Sequence, residues 1–308
     1  MFEVNVEGKV LQFPYKPVLV CYRGSHSFGT HTPPDDGGLS DIDLLGICAP
    51  PLDHYFGSKN WEGKDWWDEN YDIVTYSFKK FVHLLTKGNP NCIGTLWTKD
   101  EHFFETSWLS ERLIASKEIF LAKKTVVASF KGYAAGQMHK MTHFYDSSFY
   151  QELDDLAGQL KELGIYGMNH NEAPMEHRAL IAQHNKLKKK LYQGYMGEKR
   201  RALVDEFGYD TKNASHLLRL LTMCVEILDT CQINVYREHD AQTYIDIKKG
   251  KWTLDAVSER AEELFAEIRD KYDACPLPEE PDYDKINKLS SLWLYNYFTE
   301  QSELFYEE

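Results

Sequence analysis

One stretch constrains this chain more than any other. An apolar run, Val18-Leu19-Val20-Cys21-Tyr22, leads into Arg23-Gly24-Ser25-His26-Ser27-Phe28-Gly29-Thr30. Ten residues later, Ser40-Asp41-Ile42-Asp43 leads into a second apolar run, Leu44-Leu45-Gly46-Ile47. The pattern reads as strand, Gly-Ser turn, short helix, loop, strand. Side chains alternate across a strand, so Asp41 and Asp43 share one face and Ile42 takes the other. Two carboxylates about 7 Å apart on one face repel unless a positive charge sits between them. A divalent cation answers that need, and hard oxygen ligands favour Mg²⁺ or Mn²⁺. The Gly-Ser turn supplies what a polyphosphate requires. Gly24 lets the backbone come close, and Ser25 offers a hydroxyl and an N–H near a helix start.

The remaining chain divides into two styles. Residues 1–17 read as a lead-in, with Pro14 and Pro17 as breakers of a short edge strand. The loop His31–Leu39 follows from Pro33-Pro34-Asp35-Asp36-Gly37-Gly38. Residues 52–70, aromatic and acidic, are compatible with either a lid or a hairpin. A third strand is expected at Tyr71–Tyr76, then an amphipathic helix over Phe78–Lys87. If that third strand lies beside the second, Asp72 can complete a carboxylate triad with Asp41 and Asp43. From about residue 109 the periodicity is helical, over Trp108–Ala115, Ile119–Phe144, Phe149–Leu163, Glu176–Tyr195, Glu198–Phe207 and Thr211–Thr230. It resumes at Leu254–Lys271 and Tyr283–Glu300, with a short strand expected at Tyr244–Ile247. The apolar stripe Leu217, Leu218, Leu221, Cys224, Val225 and Leu228 marks a buried face. The expected division is therefore a catalytic domain over 1–108 and a helical domain over 109–308.

Composition limits the choices further. The chain has 308 residues and a formal charge of −13, too acidic for a general duplex-binding protein, though a local basic groove for a nucleic-acid end remains open. Lys186–Lys190, with Lys199, Arg200 and Arg201, is the best basic patch; such runs are usually a solvated face. No apolar run suggests a membrane span, and the acidic start, Met1–Glu7, does not read as a signal peptide. The six scattered cysteines read as reduced core residues, so a cytoplasmic location is expected. His139 and His143 have the i, i+4 spacing of two zinc ligands but lack an intervening Glu and a third ligand.

Asp-x-Asp alone also occurs in haloacid-dehalogenase phosphatases, nucleotide-sugar glycosyltransferases and surface turns. The phosphatase pattern needs Thr or Val where Leu45 stands. Three features together are more specific. They are Gly24-Ser25 with Asp41-Ile42-Asp43; Asp72-Ile73-Val74 with Lys87-Gly88-Asn89-Pro90-Asn91; and the segment Tyr209-Asp210-Thr211-Lys212-Asn213-Ala214-Ser215-His216-Leu217-Leu218-Arg219. Over residues 18 to 270 the chain resembles the DNA polymerase β-like nucleotidyltransferase superfamily, in its RlaP-like branch. Gly94 stands where relatives commonly carry a Glu.

The resemblance implies an α+β fold, with a small mixed-sheet nucleotidyltransferase domain followed by a mainly helical one. It also implies metal-dependent transfer of a nucleoside monophosphate from a nucleoside triphosphate, with pyrophosphate release. Asp41 and Asp43 would hold two Mg²⁺ (or Mn²⁺) ions about 3.5–4 Å apart, and Asp72 would complete one site or accept the proton of the attacking hydroxyl. Lys212 and Arg219, two turns apart on one helix, are candidate triphosphate contacts. His216 between them either joins that face or is a packed core histidine. Arg23 and Lys80 are weaker candidates. An RNA end such as a tRNA is the expected acceptor. A protein or small-molecule hydroxyl, or a nucleotide-binding regulator without catalysis, are the competing readings.

Overall fold

The computed structural model describes residues 1–32, 41–142, 147–193 and 198–303. The chain opens with a hairpin, β1 (Phe2–Val6) and β2 (Lys9–Phe13), in place of a lone edge strand. Its turn places Glu7 and Gly8 at positive φ, 53° and 89°, the arrangement that matches the twist of two antiparallel strands. Next come β3 (Pro17–Tyr22), α1 (Gly24–Phe28), β4 (Ile42–Cys48), α2 (Asp53–Phe56), β5 (Gly63–Asp68) and β6 (Tyr71–Ser77). Residues 52–70 thus form a short helix and a strand that pairs antiparallel with β6, the hairpin alternative. A strand absent from the sequence expectation, β7 (Phe103–Thr106), completes a five-stranded sheet in the order β5-β6-β4-β3-β7.

That sheet is mixed. β4 and β6 run parallel, and the other pairs are antiparallel. The hairpin covers one face, burying Val4, Val6, Leu11 and Phe13 against Val20, Leu44, Tyr71 and Ile73. The opposite face carries the buried Leu45 and Ile47 and, at the strand ends, Asp43 and Asp72. Against the strands pack α3 (Phe78–Thr86), which contacts β4 and β6, and α5 (Trp108–Ala115), which contacts β3. Between them, Lys87-Gly88-Asn89-Pro90-Asn91 is an architectural joint. Gly88 leaves α3 at φ 60°, and the Asn89 side chain caps α4 (Pro90–Ile93) by accepting from the Asn91 N–H. Pro90 takes the first helical position, where its missing donor costs nothing.

Helices make up most of the remainder: α6 (Lys123–Thr142), α7 (Ser147–Glu162), α8 (Arg178–Gln193), α9 (Glu198–Phe207), α10 (Thr211–Thr230), α11 (Ala241–Lys248), α12 (Leu254–Tyr272) and α13 (Tyr283–Glu303). The fold class is therefore α+β, a small mixed sheet followed by a mainly helical part. The strand expected at Tyr244–Ile247 is helix α11. Its buried residues, Tyr244 and Ile247, lie three apart, which suits one helical face, whereas strand alternation would send them to opposite faces.

By contacts the chain forms two compact units. The first gathers residues 1–134 and 215–308, the second residues 135–214. The second unit is built on α7 and α8, with Leu153, Leu156 and Leu187 in one cluster and Leu160, Ile165, Ala173 and Ile181 in another. All six cysteines are unpaired thiols, and five of them are buried. Among the described residues no helix is long and apolar enough to cross a membrane.

Phe13 is fully buried between the hairpin and the sheet, edge-on to Trp66 at 5.6 Å. Phe13→Ala removes a ring the sheet cannot collapse upon. Urea denaturation should show a loss of about 3–5 kcal/mol. A loss below about 1 kcal/mol would mean that the hairpin is not part of the core.

Candidate active site

The site begins where β3 ends. Arg23 continues the ladder with its N–H donating to the Asp43 carbonyl at 2.9 Å. The chain then turns sharply at Gly24, whose φ of +62° belongs to the left-handed region. Space forbids a side chain there as well, since a Cβ on Gly24 would lie 2.2 Å from Asp43 Oδ2. Glycine is required so that the turn can lie directly against a carboxylate.

The parallel pairing of β4 and β6 sets Asp43 opposite Asp72 in register. Neighbouring strands are about 4.8 Å apart, and in-register residues point to the same face, so the two carboxylates stand side by side. Arg23 sits between them. Its Nη2 donates to Asp72 Oδ2 at 2.8 Å and lies 3.5 Å from Asp43 Oδ1. All three side chains are about a quarter exposed, so the group is open to water.

Behind the turn lies a support that the sequence reading missed. The Arg237 N–H donates to the Phe28 carbonyl at 3.0 Å, and Lys248 Nζ donates to the Thr30 carbonyl at 2.9 Å. Tyr236 packs so closely on Gly29 that a Cβ there would meet its ring at 2.8 Å. The Arg237 side chain is only 2% exposed. It donates Nη1 and Nη2 to the two carboxylate oxygens of Glu226 at 2.5 and 2.6 Å, and Nε to Asp240 Oδ1 at 2.8 Å; Nη2 also pairs with Asp240 Oδ2. Burial alone would lower its proton affinity, but these bonds outweigh burial and raise it above the ordinary arginine value. Tyr244 donates its hydroxyl to Asp240 at 3.0 Å and closes the network.

The other predicted residues are distributed unevenly. Ser25 lies in α1 beside Gly24, half-buried. Asp41 is half-buried and directly precedes β4. Arg219 is buried beneath the turn, its guanidinium carbon 3.6 Å from the Phe28 ring centre and its Nη1 3.2 Å from Met223 Sδ. Burial pulls its pKa down to about 10. His216 is half-buried on the same helix. Lys212 is exposed and falls in the second unit. Asp210, also in that unit, caps α10 by accepting from the Asn213 N–H at 2.9 Å, and it binds Arg200 Nη1 at 2.6 Å. Arg200 is thereby committed to a structural ion pair, while Lys186 and Lys189 are exposed on α8. Lys80 pairs with Glu62 at 2.8 Å on the surface. His139 is exposed, and His143 lies outside the described residues, as does the loop expected at His31–Leu39 from residue 33 onward.

Among the described residues no group of three or more His, Cys, Asp or Glu comes together closely enough to hold a metal ion. Asp43 and Asp72 nevertheless fit one in their chemistry. They are adjacent, hard, water-accessible oxygen donors, and the spot between them already attracts a cation, the Arg23 guanidinium.

Two outcomes test this architecture. Removing the Arg237 side chain as Arg237→Ala leaves Glu226 and Asp240 facing each other without their cation. The expected loss is about 3 kcal/mol in denaturant, the lower end for a broken buried pair, because both carboxylates keep some water; no change would dismiss the network as a support. His26 in α1 stacks on Tyr22, with ring centres 5.0 Å apart, and its Nδ1 is buried without a hydrogen-bond partner. Burial, and then the nearby His31, push its pKa down to about 4 from an ordinary 6.5. The unfolded chain therefore binds the extra proton first, so this contribution is complete above pH 6.5 and is lost as pH falls toward 4. The wild-type Tm should fall relative to that of His26→Phe between pH 7 and 5. Parallel pH profiles would show that His26 is solvated.

Comparison with known proteins agrees with this geometry. Residues 5–153 match the family model of RlaP, the RNA repair pathway DNA polymerase beta family. An uncharacterized 38.9 kDa protein of the nrdC-mobD intergenic region of Enterobacteria phage T4 is 23% identical over 303 residues, covering 82% of this chain and 88% of that protein. A nucleotidyltransferase-like protein from Exiguobacterium sibiricum 255-15, of solved structure, shares 12% identity over 85% of this chain and 70% of its own, with a TM-score of 0.25, too low to carry an argument. The segment that holds Gly24, Asp43 and Asp72 thus lies within the part of the chain that is similar to the RlaP polymerase beta family.

Proposed function

We propose that this chain is a metal-dependent nucleotidyltransferase that moves a nucleoside monophosphate from a nucleoside triphosphate to an acceptor hydroxyl, with an RNA end such as that of a tRNA as the acceptor. The observation that carries the reading is the in-register pair Asp43 and Asp72 facing the Gly24 turn. The catalytic part lies within residues 1–108. The RNA acceptor is supported by the RNA-repair description of the family, and by nothing in the overall charge.

The chain's own residues have these roles. Gly24 admits the polyphosphate close to the backbone, and Ser25 bonds a phosphate oxygen. Asp41, Asp43 and Asp72 are the ligands for Mg²⁺ or Mn²⁺, two ions in all. When bound, such ions supply Lewis-acid stabilisation of the charge that builds on the phosphoryl oxygens. In the transfer, the acceptor oxygen bonds to the α-phosphorus and the bond to the β-phosphate bridging oxygen breaks, so pyrophosphate leaves with that electron pair. Asp72 takes the acceptor proton. Arg219, a cation buried beneath α1, makes the turn favourable for an anion, while His216 on the same helix is a further triphosphate contact. Nucleoside triphosphate donors and six free thiols fit a cytoplasmic protein.

The deciding assay offers each of four α-³²P-labelled ribonucleoside triphosphates with Mg²⁺ or Mn²⁺ and total tRNA. Label should appear on RNA, and Asp41→Asn with Asp43→Asn should reduce it by at least about 100-fold while the fold stands. Pyrophosphate release without labelled RNA would move the acceptor to a protein or small molecule. Triphosphate binding without turnover would favour a regulator. Transfer that survives both substitutions would refute the role of the acids.

A further inference from the structure

The place between Asp43 and Asp72 is filled by the chain itself. Arg23 reaches both carboxylates through one nitrogen, Nη2, at 2.8 and 3.5 Å. This is not the two-pronged fork by which a guanidinium binds a carboxylate most strongly. Its Nε is buried and has no hydrogen-bond partner, so part of the group's bonding capacity is unused. The backbone, by contrast, is fixed by the bond to the Asp43 carbonyl. Arg23 can therefore leave the acids by rotation of its side chain alone, with the strand and the Gly24 turn staying in place.

We propose that Arg23 is the resident counter-cation of the acid pair and competes with the divalent metal for Asp43 and Asp72, so that it sets the metal concentration at which the site loads. Without metal, the guanidinium offsets the repulsion between two adjacent carboxylates and holds the ends of β4 and β6 in register. With metal, the ion takes over that charge and the guanidinium is released next to the Gly-Ser turn. The inference rests on the reading of Asp43 and Asp72 as metal ligands, and the experiment separates the two.

Mn²⁺ is titrated into the full chain and free Mn²⁺ is followed by electron paramagnetic resonance, without nucleotide. Wild type is compared with Arg23→Gln, Arg23→Lys, Asp43→Asn and the Arg23→Gln/Asp43→Asn double variant. Arg23→Gln should bind Mn²⁺ about ten-fold more tightly than wild type, the size of one charged hydrogen bond no longer opposing the ion. The double variant should lose that gain. In EDTA, Arg23→Gln should melt below wild type, and Mn²⁺ should restore it. Arg23→Lys, which keeps the charge but not the planar group, should fall between the two and decides the question if Arg23→Gln does not fold. Equal or weaker Mn²⁺ binding by the Arg23 variants, with binding still lost on Asp43→Asn, would overturn the competition and leave the metal reading intact. Absence of Asp43-dependent Mn²⁺ binding in every variant would overturn both.

Discussion

Two carboxylates in register on adjacent parallel strands are the constraint around which this molecule is arranged. A parallel ladder fixes the separation of Asp43 and Asp72 to about one strand spacing. Like charges that close destabilise a sheet unless a cation joins them. The fold meets the requirement locally, with an arginine placed one residue before the turn. It also brings a backbone turn so near the same carboxylate that only glycine fits. A concentrated negative charge, an internal cation and an approachable backbone are thus products of one strand pairing. Their electrostatic cost is kept within one corner of the sheet.

A second charged cluster, around Arg237, has a different physical character. It is a single buried cation held by two carboxylates and closed by a tyrosine hydroxyl. Desolvating such a group is expensive, and hydrophobic packing could supply equal stability. What hydrophobic packing would not supply is the fixed orientation of the segment whose N–H bonds Phe28. We read the network as a positional device. It fixes Tyr236 and Arg237 relative to α1, and through them the rear of the turn that the acids face.

Much of this was legible in the sequence. Strand alternation and the glycine turn pointed to Gly24 and to the acids, and the resemblance read over residues 18 to 270 has its counterpart in a family match over residues 5–153. The face of α10 was readable because six apolar residues repeat at helical spacing, and all six are buried. Three things were not readable. The strand β7 is four residues long and carries no alternation, so only its partner β3 defines it. Tyr244 and Ile247 suggested a strand because β-branched and aromatic residues favour sheets, but burial on one helical face decided otherwise. Arg23 pairs with Asp72, 49 positions away, and Arg237 with Glu226, 11 positions away, and no local pattern marks an arginine as a buried partner rather than a solvated one. The basic run near Arg200 shows the same limit, because Asp210, ten positions on, holds one member in a structural ion pair.

The bond from Lys248 to Thr30 spans 218 positions. Its consequence is temporal. A ribosome adds about 5–20 residues per second, so the strands and their acids emerge roughly 10–40 s before the residues that back the turn. For that interval the acids and Arg23 are present in the nascent chain while the partners that support the rear of α1 are not. The residues that carry the charge are therefore synthesised well before those that fix the shape around it.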